Sequence, residues 1–208
     1  MQALIIIDVQ YDFLAGGALA VADGNQIIPI INKISGVFPL VVATQDWHPV
    51  DHGSFASNHM GKNTFDKTEL NGLEQVLWPD HCVQGKEGAN FSPQLDMAKV
   101  EAIFRKGTDK TIDSYSGFFD NGKRKSTGMA AYLSGRGVEK VYLAGLAGDY
   151  CVGYSAIDAL SLGFETYVIE DAVRSITLEG WEAMKTNIIN RGGKIILSTA
   201  IEQHGQGS

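Results

Sequence analysis

The sequence predicts an α/β fold: a doubly wound, mostly parallel six-stranded sheet with helices on both faces. Three observations carry this prediction. Short runs rich in Val, Ile and Leu recur at 4–8, 39–45, 100–105, 139–145, 164–169 and 194–198. They are apolar on both parities, as expected of strands covered on both sides. Helical periodicity lies between most of them, near 24–36, 92–98, 126–136, 152–162 and 179–191. That alternation implies parallel strands joined by right-handed crossovers. Finally, reactive side chains sit where apolar runs end, and an open parallel sheet binds ligands beyond the carboxyl ends of its strands.

The elements follow in order. The run LIII closes on Asp8, and PLVVATQ closes on Asp46 with His48 two residues on. The run VEAIFR closes on Lys106, and KVYLAGL opens into the loop that carries Cys151. Gly137, Gly163 and Gly192-Gly193 fall just past predicted helix ends, where left-handed caps are common. Residues 46–91 break the rhythm. They hold four of the five histidines and two of the three tryptophans. A stretch of that length without structure is expected to be functional, so it reads as a lid or small subdomain over the strand ends. Residues 203–208 read as a frayed tail.

Length and composition narrow the class. A chain of 208 residues fits a single domain. Its net charge of −7 argues against a broad nucleic-acid or anionic-membrane surface. No apolar run approaches the roughly 20 residues that span a bilayer. The start MQALIIIDVQ lacks a basic leader and reads as a first strand. Two cysteines, Cys82 and Cys151, are too few for a disulfide scaffold. A cytoplasmic, reducing location is the expectation.

Cys151 lies in GLAGDYCVGYSAIDAL, a Gly-rich turn between a strand and a helix. A helix N-terminus favours an anion and offers N–H groups to a developing oxyanion. A lone cysteine is more often buried and inert, but Asp8 and Lys106 on the same rim reverse that balance. A free thiol has a pKa of about 8.5. A cation about 4 Å away stabilises the thiolate by up to about 4 kcal/mol at intermediate dielectric, and Asp8 can accept the proton. The alternative for Asp8 and Lys106 is a structural ion pair, which needs no thiol nearby.

Asp46 and His48 form an Asp-x-His pair, and WPDHC supplies His81. One carboxylate and two imidazoles suit a divalent transition ion with open positions. His52 and His59 are competing ligands, and Cys82 is read as packing. The alternative is a set of surface loop histidines. The aromatics Phe13, Trp47, Trp78, Tyr115, Phe118 and Phe119 share these loops, where a flat ring could stack. GFFDNGK resembles a P-loop, but Arg124 follows where a Ser or Thr hydroxyl is needed, so it reads as an exposed turn.

Taken together, the landmarks IIIDVQYDFLAGGALAV, TQDWHPVDHGSFASNH, LWPDHCVQGKEGA, FRKGTD, DSYSGFFDN and GLAGDYCV resemble the nicotinamidase/pyrazinamidases of the isochorismatase-like cysteine hydrolase superfamily. The resemblance spans nearly the whole chain. It implies a Rossmann-like three-layer sandwich and hydrolysis of nicotinamide to nicotinate and ammonia in NAD salvage, with pyrazinamide as a further substrate. It implies a triad of Asp8, Lys106 and Cys151, and an oxyanion hole from the N–H groups of Ala147 and Cys151 beside a cis peptide. It implies metal ligands Asp46, His48 and His81 for one divalent ion, zinc first, with iron or manganese as alternatives. Phe13, Trp78 and Tyr115 are the implied substrate contacts. The partner is the small molecule alone, and a homo-oligomer is compatible with the sequence. The pattern departs at Gly148, where such proteins usually carry threonine; the loop backbone is freer, and the alternatives are a looser nucleophile or natural variation with little effect. Competing readings are another small-amide hydrolase of the superfamily or a non-catalytic ligand-binding member. A thiol–disulfide oxidoreductase is weaker, because no C-x-x-C is present.

Overall fold

The computed structural model describes residues 1–201, so the tail expected at 203–208 lies outside the described residues. In chain order the elements are β1 (Gln2–Ile7), α1 (Ile27–Ser35), β2 (Val41–Asp46), β3 (Lys67–Leu70), β4 (Leu73–Val76), β5 (Val100–Lys106), α2 (Met129–Gly135), β6 (Lys140–Leu146), α3 (Gly153–Ser161), β7 (Glu165–Arg174), α4 (Leu178–Asn190) and β8 (Lys194–Ile196). Six strands form one sheet in the order β5-β2-β1-β6-β7-β8, and every pairing is parallel. The fold predicted from the apolar runs is the one observed.

Period-two alternation feeds two cores from one strand. From β1, Leu4 and Ile6 join the layer that packs on Ile27, Ile28, Ile31 and Ile34 of α1. Ala3, Ile5 and Ile7 face the other layer, with Met129 and Leu133 of α2, Ala156 and Ala159 of α3 and Trp181 and Ile188 of α4. Pro29 is accommodated in α1 because it occupies the first turn, where its missing N–H has no intrahelical partner. Gly137, Gly163 and Gly192 take left-handed conformations after α2, α3 and α4, as their positions predicted.

Two expectations need correction. Residues 92–98 form turns, not a helix. The Asn32 side chain donates to Gln94 O and accepts from Asp96 N, while Asp96 Oδ1 accepts from Ala98 N. These bonds capture backbone groups that a helix would need. β5 is not covered on both faces: as an edge strand it alternates partly buried and exposed residues until Lys106. The 46–91 stretch contains the antiparallel hairpin β3–β4.

Candidate active site

β1, β2 and β5 deliver their last residues to one point because they are adjacent in the sheet. Asp46 pairs in register with Lys106, and Ile7 with Thr44. Asp8 follows β1 in a left-handed conformation with φ of 49°, which an aspartate tolerates better than most residues. Its Oδ1 accepts from Thr44 Oγ1 at 2.7 Å. Lys106 is buried, and its Nζ lies 2.9 Å from Asp8 Oδ2 and 3.0 Å from Asp46 Oδ1. It also donates to Ser114 O at 3.1 Å and approaches Cys151 Sγ at 3.4 Å. The three side chains of the expected triad therefore meet at one ammonium.

Cys151 sits in a wide helical turn, Gly148–Val152, at the entrance to α3. The Leu146–Ala147 peptide is cis, at the position the resemblance implied. The electrostatics differ from the simple thiolate expectation. Burial pushes the Cys151 thiol well up, Lys106 opposes this, and Asp8 and Asp46 add to the rise. The lysine charge is shared between two carboxylates, so it cannot dominate at sulfur. Burial, offset by Lys106 and reinforced by Asp46, also raises the Asp8 carboxyl. Lys106 itself is held firmly charged: burial opposes the ammonium, but Asp46 and Asp8 outweigh it. The resting pair is a neutral thiol beside a carboxylate of increased basicity.

Asp46, His48 and His81 are all buried, and their ligand atoms lie within 4.8 Å of one another. His48 Nδ1 donates to Gly107 O at 2.9 Å, and His81 Nδ1 donates to Pro79 O at 2.8 Å. Nε2 of each ring then faces Asp46 Oδ2, at 3.0 Å from His48 and 3.4 Å from His81, and against the effect of burial Asp46 raises the His48 pKa. Backbone carbonyls that fix the histidine tautomer are the usual outer support of a metal ligand, so the residues fit a divalent ion. Gly107, at φ +64°, is required here: a Cβ would come within 2.3 Å of the His48 ring. Gln10 braces the site from behind, because its amide donates to Asp46 O and Ala89 O and accepts from Asp46 N, each at 2.8 Å.

Of the competing histidines, His59 is engaged elsewhere, while His52 groups with His48 and Asp113 as a second candidate ligand set, and its buried Nε2 has no hydrogen-bond partner among the described residues. His59 Nε2 bonds to Gly53 O at 2.7 Å, away from the cluster. His52 packs its ring 4.3 Å from His48 and bonds through Nδ1 to Ser54 Oγ at 2.7 Å. Burial lowers its pKa to about 4, so the ring is neutral. Cys82 is buried in the α1-side core, as read from the sequence.

A cavity opens onto these groups, bounded by Phe13, Trp78 and Tyr115 and by Ala147 and Cys151. Trp78 stands perpendicular to Tyr150 at 4.8 Å. Leu19, Asp113, Tyr150 and Ile176 also line it, and sequence reasoning missed all four. Tyr150 adjoins the thiol, and Leu19 and Asp113 fall within the landmark segments; Ile176 carried no local signal. Trp47 instead lies under the Arg105 guanidinium at 3.9 Å, and Phe118 is in the core on the α2–α4 side. The P-loop-like turn is closed by its own aspartate: Asp120 accepts from the N–H groups of Gly122, Arg124 and Lys125.

Gly148 does not leave the loop free. A Cβ there would meet the Trp181 ring and Val173 Cγ1 at 2.9 Å. Trp181 fills the space a side chain would use, so the expected slackness is not what the packing shows.

The isochorismatase domain family matches residues 2–200. Over 194 residues, 91% of each protein, the chain is 48% identical to a nicotinamidase of Acinetobacter baylyi. A solved Acinetobacter baumannii nicotinamidase/pyrazinamidase superposes with a TM-score of 0.94 at 47% identity, over 96% of this chain and 97% of that one. A pyrazinamidase of Pyrococcus horikoshii, solved in complex with zinc, gives 0.78 at 39% identity over 94% and 98%. With its six-stranded parallel sheet and its match from the first strand to the last, the chain belongs to the isochorismatase domain family.

Proposed function

We propose that this protein hydrolyses nicotinamide to nicotinate and ammonia, with pyrazinamide as a second substrate. The observation that carries this reading is the Lys106 ammonium, which contacts Asp8, Asp46 and Cys151 at once on the floor of an aromatic cavity. The names and identities of the related enzymes support it. A cavity walled by aromatic side chains with a few polar groups at its floor suits a flat ring.

Cys151 is the nucleophile, Asp8 the general base and acid, and Lys106 the charge partner of both. Asp8 takes the thiol proton as sulfur attacks the carboxamide carbon. Proton transfer accompanies attack because the resting thiol is neutral. The N–H groups of Ala147 and Cys151 receive the oxyanion. Asp8 returns the proton to the nitrogen as the C–N bond breaks, which releases ammonia and leaves a thioester. Asp8 then deprotonates a water that attacks the thioester carbon, and nicotinate leaves as Cys151 regains its proton. Phe13, Trp78 and Tyr115 hold the ring.

Asp46, His48 and His81 hold one divalent ion, with zinc favoured and iron or manganese also suited to the donors. When bound, the ion supplies a Lewis-acid anchor for a ring nitrogen and for water. The zinc complex of the Pyrococcus horikoshii relative supports this assignment. Residues 46–91 act as a lid or small subdomain within one domain. A free thiol nucleophile needs a reducing compartment, which supports a cytoplasmic place in NAD salvage. Among the described residues no helix is long and apolar enough to cross a membrane.

The test is ammonia release from nicotinamide before and after chelation, with metals added back. Metal-dependent release is the expected result. Binding of nicotinamide without release under any metal condition would point to a non-catalytic member. Neither binding nor release would point to another small-amide substrate.

A further inference from the structure

Asp149 lies two residues before Cys151, is only 7% exposed, and has no role in the chemistry above. Its carboxylate is fully engaged, but not within its own loop. Oδ1 accepts from Ile176 N at 2.9 Å, and Oδ2 accepts from Thr177 N at 2.9 Å and from the Thr177 hydroxyl at 3.1 Å. Thr177 is the N-cap of α4, and its Oγ1 also accepts from Gly180 N at 3.1 Å. The buried charge therefore rests on the amino end of a 13-residue helix, where the dipole favours an anion. One turn further along α4, Trp181 presses on Gly148.

The partners of this carboxylate matter for the reaction. Ile176 lines the cavity together with Ala147 and Cys151. Asp149 thus ties the loop that carries the thiol to the segment that supplies another wall of the cavity, across 27 residues of sequence. Gly180 keeps the junction tight: a Cβ would meet Thr177 Oγ1 at 2.6 Å and Asp149 Oδ2 at 3.1 Å.

We propose that Asp149 is a positioning residue that sets the spacing between the Cys151 thiol and the Ile176 wall, and with it the fit of the substrate ring and the line of attack. The assignment rests on Cys151 being the nucleophile. Asp149→Asn is nearly isosteric, but it replaces one of two acceptor oxygens by an NH2 group that faces a backbone donor. Thr177→Val removes the hydroxyl and keeps the carboxylate charge. Thr177→Ser keeps both.

The experiment measures kcat and KM for nicotinamide, the thermal midpoint, and the rate of Cys151 alkylation by iodoacetamide in all three variants. Asp149→Asn is expected to lower kcat/KM roughly 10- to 100-fold, with KM rising as well as kcat falling, as for a small displacement of reacting groups. Thr177→Val is expected to shift the same parameters in the same direction by less, and Thr177→Ser to restore them. Cys151 alkylation at fixed pH is expected to change several-fold in Asp149→Asn. Wild-type kcat and KM in Asp149→Asn would overturn the proposal. So would losses that only follow the thermal midpoint, with alkylation unchanged. If Asp149→Asn does not fold, Thr177→Val and Thr177→Ser decide through KM and alkylation. If the wild-type protein releases no ammonia, the amidase reading fails by itself, while the alkylation rates still decide whether Asp149 positions the thiol.

Discussion

Lys106 Nζ bonds to Asp46 Oδ1 at 3.0 Å, so the ammonium beside the thiol and the carboxylate of the metal site form one unit. Neither can change without the other. Lys106→Met leaves Asp8 and Asp46 buried without their cation. Breaking a buried pair from one side typically costs about 3–5 kcal/mol. The metal-free variant should lose stability on that scale and all turnover. Zinc should then raise its thermal midpoint more than it raises that of the wild type, because the ion replaces the missing charge at Asp46. Equal shifts in the two proteins would separate the lysine from the metal site.

The thiol offers a test in which reactivity and turnover move in opposite directions. In metal-free protein, burial and the Asp8 and Asp46 charges hold the Cys151 pKa above its ordinary value. Less thiolate is then present at neutral pH, and alkylation by iodoacetamide should rise with pH past the range of a free cysteine. Asp8→Asn removes one of the charges that raises the thiol pKa, so its alkylation at pH 7 should become faster while turnover disappears. Slower alkylation in the variant would show that Asp8 promotes the thiolate in the resting state.

Gln10 predicts a metal effect without touching the metal. Its amide satisfies both backbone groups of Asp46 and the carbonyl of Ala89. Gln10→Leu keeps the bulk but strips both Asp46 backbone groups of this partner, while Ala89 O keeps the Gln45 amide. Loss of an outer support of this kind typically lowers metal affinity about 10- to 100-fold. Competition with a chromogenic chelator measures it directly. Unchanged zinc affinity in a folded variant would reduce Gln10 to a packing role.

Gly148 and Trp181 should behave as a coupled pair. Gly148→Thr overfills the space under the indole, at a typical cost of about 1–3 kcal/mol. Trp181→Val opens a cavity, at a cost of about 3 kcal/mol by analogy with large-to-small core changes. The double variant should be more stable than the sum of these losses predicts, as read from urea denaturation. Additive losses would mean the two sites do not share the space. An unchanged kcat in Gly148→Thr would show that the glycine does not limit the nucleophile.

What the sequence determined on its own follows from local rules. Apolar runs such as LIII and KVYLAGL specify strands buried on both faces. Parallel topology then brings their carboxyl ends together, so the sequence alone assigns Asp8, Asp46, Lys106 and Cys151 to one rim. What only the tertiary structure decided involves partners far apart in the chain. Asn32 captures the backbone near 94–96 and abolishes a helix that periodicity predicted. Gln10 reaches Ala89, Asp149 reaches Thr177, and Trp181 covers Gly148, none of which leaves a trace in local spacing. The state of the thiol is the clearest case. Side-chain types suggested a lysine-stabilised thiolate, yet the shift depends on burial and on every charge within reach. The fold places two carboxylates, not one, against the same ammonium.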